Sequence, residues 1–185
     1  MHADGTAAVI DVVNRYALAV DSRQWDVFDT IFDDDADVDF GGGARWRGRA
    51  ALKEAFDTVH AGYDATLHVT TNHVVTINDT IAHCLSYVHG RFFKQVDGGH
   101  EFESAGWYDD QLQLVDGQWW ITHRTCRMVW SRGNPRVMGA EAAPIDTSQA
   151  TVIGGLHRAA KAGKIGYLRS NSVAATSAAE PTDAQ

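Results

Sequence analysis

The feature that most constrains this chain is a change of period. From residue 65 to residue 131, apolar and polar side chains alternate through four long runs, 65–78, 80–96, 100–115 and 118–131. A period of two marks strands whose two faces meet different surroundings. Asn78-Asp79, Asp97-Gly98-Gly99 and Asp116-Gly117 join the runs. These residue types accept the positive φ of tight hairpin turns. Strands joined this way make an antiparallel meander, and its apolar face needs a cover from elsewhere in the chain.

The N-terminal third supplies that cover. Val9, Val13, Ala17 and Val20 fall at i, i+4, i+8 and i+11, flanked by Ile10 and Tyr16, and predict a helix over 6–21. Residues 23–32 read as a second helix with Trp25, Phe28, Ile31 and Phe32 on one face. Residues 49–60 read as a third, with Leu52, Phe56 and Val59 inward. Between them an acidic turn leads into a short strand, Ala36–Phe40, and Gly41-Gly42-Gly43 turns the chain. The predicted fold is α+β, a curved antiparallel sheet wrapped round three N-terminal helices to form a cone with an internal pocket. Residues 1–140 make this domain. Residues 141–169 read as a C-terminal extension holding a basic, partly helical segment, and the Ala/Ser/Thr-rich residues 170–185 read as a disordered tail.

Composition narrows the partners. Among 185 residues, 44% are apolar and 22% charged, ordinary for a globular domain. A net charge of −8 argues against nucleic acid or an anionic membrane, because phosphate binding needs a positive face. No run approaches the roughly 18–20 apolar residues of a membrane span, and the first residues lack the basic start and apolar core of a signal peptide. Cys84 and Cys126 stand alone in strand runs and read as inert free thiols, which fits a cytoplasmic protein.

No metal or other cofactor is expected. The run DDDADVD at 33–39 has calcium-loop spacing, but Val38 stands where the loop needs Gly and Ala44 where it needs Glu. The nine histidines form no H-x-H or HExxH pattern. In simple alternation His68 and His73 face opposite ways. His83 and His89 share a face, but at ~3.3 Å per residue they sit about 20 Å apart.

A few residues stand out chemically. Thr66, His68, Thr70 and Asn72 share one strand face; Leu67, Val69, Thr71, His73 and Val75 share the other. A polar strand face is either solvent-exposed or a polar pocket. In a pocket His68 makes a good general base, best when a carboxylate receives its other N–H. Asp21 ends the first helix. With Gln24 three residues on it resembles a capping box for the second helix, and its second oxygen leaves it free for another role. Arg124 shares a face with Trp120, Thr122, Cys126, Met128 and Trp130. A buried arginine needs an anionic or polar partner: a structural pair with one of the many aspartates, a bound carboxylate, or charge developing on a leaving group. Tyr16 sits about 140° round the helix from Asp21. Trp25, Phe40, Trp107, Tyr108 and Trp130 can serve as core or as walls for a flat apolar ligand.

The stretches YALAVDSRQWDVFDTIF (16–32), TLHVTTNHVVTIND (66–79) and GWYDDQLQLVDGQWWITHR (106–124) resemble the SnoaL-like branch of the nuclear transport factor 2-like superfamily. The resemblance spans roughly residues 6–131. It implies a cofactor-free lyase of the dehydratase, dehydrochlorinase or formaldehyde-releasing kind, assembled as a homotrimer and acting on a small hydrophobic or aromatic substrate. Asp21 and His68 match the catalytic dyad of that branch. Arg124 matches a last-strand arginine of the dehydrochlorinases, and Tyr16 a helix-one tyrosine of a dehydratase relative. An isomerase or epoxide hydrolase in the same cone, or a non-catalytic binding module, is the alternative reading.

Overall fold

The computed structural model describes residues 2–140 and 148–169; the predicted tail at 170–185 lies outside them. The chain begins with helix α1 (His2–Ser22), a single 3-10 turn (Trp25–Thr30), and strands β1 (Phe32–Asp39) and β2 (Arg45–Arg47). Helix α2 (Arg49–His60) follows, then β3 (Ala65–Asn78), β4 (Ile81–Phe93), β5 (Glu101–Val115) and β6 (Gln118–Gly133). A short β7 (Thr151–Val152) and helix α3 (Leu156–Lys161) come after a second 3-10 turn (Pro135–Met138), and a third (Gly166–Arg169) ends the described chain.

The sheet order is β2-β1-β6-β5-β4-β3, with β7 on β6. The four long strands form the predicted meander, every pair antiparallel. The turn residues take the positive φ that tight hairpins demand, at Asp79, Gly98, Gly99, Asp116 and Gly117. β1 departs from the antiparallel expectation. It runs parallel to β6, with Val38 opposite Arg124, so the sheet is mixed. The intervening chain, with α2 and four strands, is long enough for the crossover a parallel pair needs.

Helix α1 lies across the inner face. Its buried stripe, Val9, Val13, Tyr16, Ala17 and Val20, is the predicted one. The second predicted helix is corrected: only the 3-10 turn forms. Arg23 has a positive φ of 59° and breaks the helical path, and β1 takes Phe32 onward into the sheet. Nor is there a capping box, since Gln24 heads the 3-10 turn with no side-chain cap. On α2 the inward stripe is Leu52, Phe56 and His60, four residues apart, while the expected Val59 is half-exposed.

Register shifts interrupt the sheet at Phe32–Asp37, Thr71–Val74, Ala105–Gly106 and Gln111–Leu112, and two of them set the phase of the side chains that matter here. One lies between Thr71 and Val74, with Asn72 at φ 54°. Before it, Thr66 and His68 point to the helices; after it, Val75 and Ile77 do. The simple alternation that set His73 and Val75 opposite His68 therefore fails at Asn72. The second of these lies between Ala105 and Gly106. A β-carbon on Gly106 would lie 2.1 Å from the Arg127 carbonyl oxygen, so only glycine fits there.

The core between sheet and helices is aromatic: Tyr16, Phe28, Phe32, Phe56, Tyr108 and Trp119. A smaller cluster lies elsewhere on the sheet, where Leu85 and Trp107 meet Ala159 and Ile165 of the C-terminal extension. Among the described residues no helix is long and apolar enough to cross a membrane.

Candidate active site

Asp21 closes the last turn of α1 and reaches over β3. Its Oδ2 accepts the backbone N–H of His68 at 2.7 Å. Its Oδ1 accepts the Thr66 hydroxyl at 2.9 Å and lies 2.7 Å from His68 Nδ1. An ionised carboxylate only accepts, so Nδ1 carries a proton toward it, and in the neutral tautomer that this selects, the free lone pair is on Nε2. Burial raises the Asp21 pKa, but the bonds from His68 and Thr66 outweigh it and hold the carboxyl below its usual range.

The His68 side chain is 8% exposed. It sits across from Gly90 on β4, where a β-carbon would come within 3.2 Å of Nε2. The missing side chain leaves room for the ring. Phe92 meets the ring edge-on at 5.5 Å. Arg23 Nη1 donates to Thr66 Oγ1 at 2.9 Å and to the Val20 carbonyl at 2.7 Å. With its lone pairs so engaged, the Thr66 hydroxyl turns its proton to Asp21.

His60 belongs to this neighbourhood and the sequence reading missed it. It repeats the α2 stripe at i+8 from Leu52, which was the available signal. Its Nδ1 is 2.8 Å from the Phe56 carbonyl, and its ring stacks on Phe56 at 5.1 Å. Burial lowers its pKa to about 4. In the unfolded chain a histidine titrates near 6.5. Between those values the unfolded state binds more protons, so this contribution is intact above pH 6.5 and lost as the pH falls toward 4. Replacing His60 with Phe is therefore expected to reduce the loss of stability between pH 6.5 and 4 by on the order of 2 kcal/mol. Urea unfolding of both proteins at pH 7 and pH 4.5 measures it, and equal losses would refute it.

Tyr16 and Arg124 meet in the core. Arg124 donates through Nε and Nη2 to both oxygens of Asp110, at 2.7 and 2.8 Å, and both side chains are fully buried. The guanidinium carbon lies 4.1 Å from the Tyr16 ring centre and 4.3 Å from that of Tyr108, a stacked cation–π arrangement. Nη1 is buried with no partner among the described residues. Burial, which outweighs the nearby Arg124 charge, pushes the Tyr16 phenol well up and keeps it protonated. Burial likewise pushes the Cys126 thiol up to about 12, so it is no nucleophile.

The expected pocket wall divides. Trp25 packs on His60 at 5.3 Å, and Phe40 touches both Phe56 and Tyr108. Trp107 does not join them. It alternates with the inward Tyr108 and packs with the C-terminal extension. Trp130 sits by His89 at 5.6 Å, and both tryptophans border a groove of about 550 Å³ together with Val69, Tyr87 and Leu156. That groove contains neither Asp21 nor His68. The cone interior is occupied by aromatic side chains. Among the described residues no three His, Cys, Asp or Glu gather as a metal site requires.

A search of curated proteins by sequence finds no match. Solved structures match more widely. A scytalone dehydratase-like protein from Novosphingobium aromaticivorans is 21% identical, with TM-score 0.65, over 70% of this chain and 87% of that one. The hexachlorocyclohexane dehydrochlorinase LinA-type3 from Novosphingobium barchaimii is 21% identical, with TM-score 0.63, over 69% and 88%. An aromatic ring hydroxylase-like protein from N. aromaticivorans is 27% identical, with TM-score 0.64, over 72% and 95%. The family model of the SnoaL-like domain matches residues 2–125. With the family model covering two thirds of its length, this chain belongs to the SnoaL-like domain family.

Proposed function

We propose that the chain is a cofactor-independent lyase in which Asp21 and His68 act as a dyad. The observation that carries this reading is the 2.7 Å contact between Asp21 Oδ1 and His68 Nδ1, on a carboxylate that also holds the His68 backbone. Nε2 removes a proton from a substrate carbon. The C–H electrons form a double bond, and water or halide leaves the neighbouring carbon. In the formaldehyde variant Nε2 takes a hydroxyl proton from a CH₂OH group. The C–C bond breaks to release formaldehyde, and its electrons form the double bond as the adjacent hydroxyl departs as water. Asp21 stabilises the imidazolium through Nδ1–H. The Tyr16 hydroxyl and Arg124 Nη1 are the donors for the leaving group. Trp25, Phe40 and Tyr108 suit a hydrophobic, aromatic substrate. The half-exposed Leu67, Val69, Val74 and Tyr87 support a homo-oligomer.

Wild type and His68→Ala, mixed with a panel of aromatic β-hydroxy, diaryl diol and halogenated compounds, test the reaction. A new long-wavelength absorbance band, formed only by the wild type, is expected as a conjugated alkene appears. The released co-product (formaldehyde or halide) names the leaving group. A band formed equally by His68→Ala would remove His68 from the role of base.

A further inference from the structure

We propose that Arg23 is a recognition site for an anionic oxygen on the substrate, so that the ligand of the dyad site is an aromatic acid or phenolate. The proposal rests on the reading of the dyad neighbourhood as a substrate site, and it adds the charge of the substrate.

Three observations carry it. First, Arg23 is a half-buried cation without an acidic partner among the described residues. Its hydrogen bonds go to the Val20 carbonyl and the Thr66 hydroxyl, both from Nη1. Nε and Nη2 have no acceptor among the described residues, yet neither is sealed from solvent. The nearby carboxylate, Asp21, is occupied by three donors from Thr66 and His68. A guanidinium presents planar paired donors that match a carboxylate.

Second, the place is right. Thr66 and His68 are two residues apart on one strand face, about 7 Å along β3, and Arg23 is bonded to Thr66. The Arg23 charge acts on His60 and Tyr63 as well. The rings of Trp25, His60, Tyr63, Phe92 and His68 follow one another in contact, at 5.3, 5.7, 5.3 and 5.5 Å between centres. Arg23 thus sits beside an unbroken aromatic rim that ends at the base. A ligand with an aromatic body and an anionic oxygen satisfies rim and cation together.

Third, the backbone gives up an ordinary conformation to put the side chain there. Arg23 has φ 59°, a region that bulky residues rarely enter. Glycine or asparagine is the usual residue at such a helix end.

The probes are 2-naphthoate and 2-naphthamide, nearly equal in shape and different in charge, titrated calorimetrically into the full chain. Wild type is expected to bind naphthoate at least tenfold more tightly, and raised salt is expected to weaken naphthoate but not naphthamide. Arg23→Met is expected to level the two, while Arg23→Lys keeps part of the preference. His68→Gln is expected to keep the preference, so failure of the lyase reading leaves a different trace from failure of this one. Circular dichroism establishes that each variant is folded. If Arg23→Met does not fold, Arg23→Lys and the salt dependence decide. Equal wild-type affinities, no saturable binding of either probe, or an undiminished preference in Arg23→Met would overturn the proposal.

Discussion

Asp21→Asn is expected to lower turnover by about 10³- to 10⁴-fold while leaving the domain folded. The reason lies in which oxygen does what. Oδ2 accepts the His68 backbone N–H, so the amide oxygen of the variant must stay there. Its NH₂ group then takes the place of Oδ1 and faces His68 Nδ1. A donor now faces that nitrogen, so the imidazole proton moves to Nε2, the atom that has to accept the substrate proton. Steady-state kinetics on a substrate from the absorbance screen measures the loss. Nitrogen NMR of the imidazole reads the tautomer directly, without any substrate. An unchanged tautomer, or turnover within tenfold of wild type, would remove Asp21 from its assigned role.

The largest effect on stability is expected from Arg124. Arg124→Met leaves Asp110 fully buried with its charge unpaired, which costs about 3–5 kcal/mol. Total stability of a domain is typically about 5–15 kcal/mol, so the variant approaches unfolding. The double variant Arg124→Met/Asp110→Leu removes both charges and is expected to recover most of the loss. Urea melts of the wild type, both single variants and the double variant give the coupling. If the double variant is as unstable as Arg124→Met, the pair is not what Arg124 contributes; the stack with Tyr16 and Tyr108 then carries the stability.

The same pair shows how far sequence reasoning reaches. Arg124 stood out as a charge among apolar neighbours, and its need for an anionic or polar partner was clear. Its partner was not, because the chain is rich in aspartates and only the β5–β6 register sets Asp110 opposite it. Asp21 presented a similar choice. Local spacing offered a helix cap as one of two roles; the folded chain instead spends both oxygens on β3, a contact across forty-seven residues that no local pattern encodes. His60 was within reach, since it continues the Leu52–Phe56 stripe of α2. Trp107 and Trp130 were not: assigning them to the pocket needs strand phase, and the bulge at Gly106 resets it.

What the sequence determined by itself is what short-range physics dictates. Period-two runs and turn residues set the meander, a 3.6-residue stripe set α1, and composition set a folded acidic domain. What only the tertiary structure decided depends on pairing between distant segments. These are the parallel place of β1, the phase shifts at Asn72 and Gly106, the Arg124–Asp110 pair and the meeting of Asp21 with His68. Each follows from which carbonyls and amides find partners across the sheet. That competition is settled by the whole core at once rather than by neighbours in the chain.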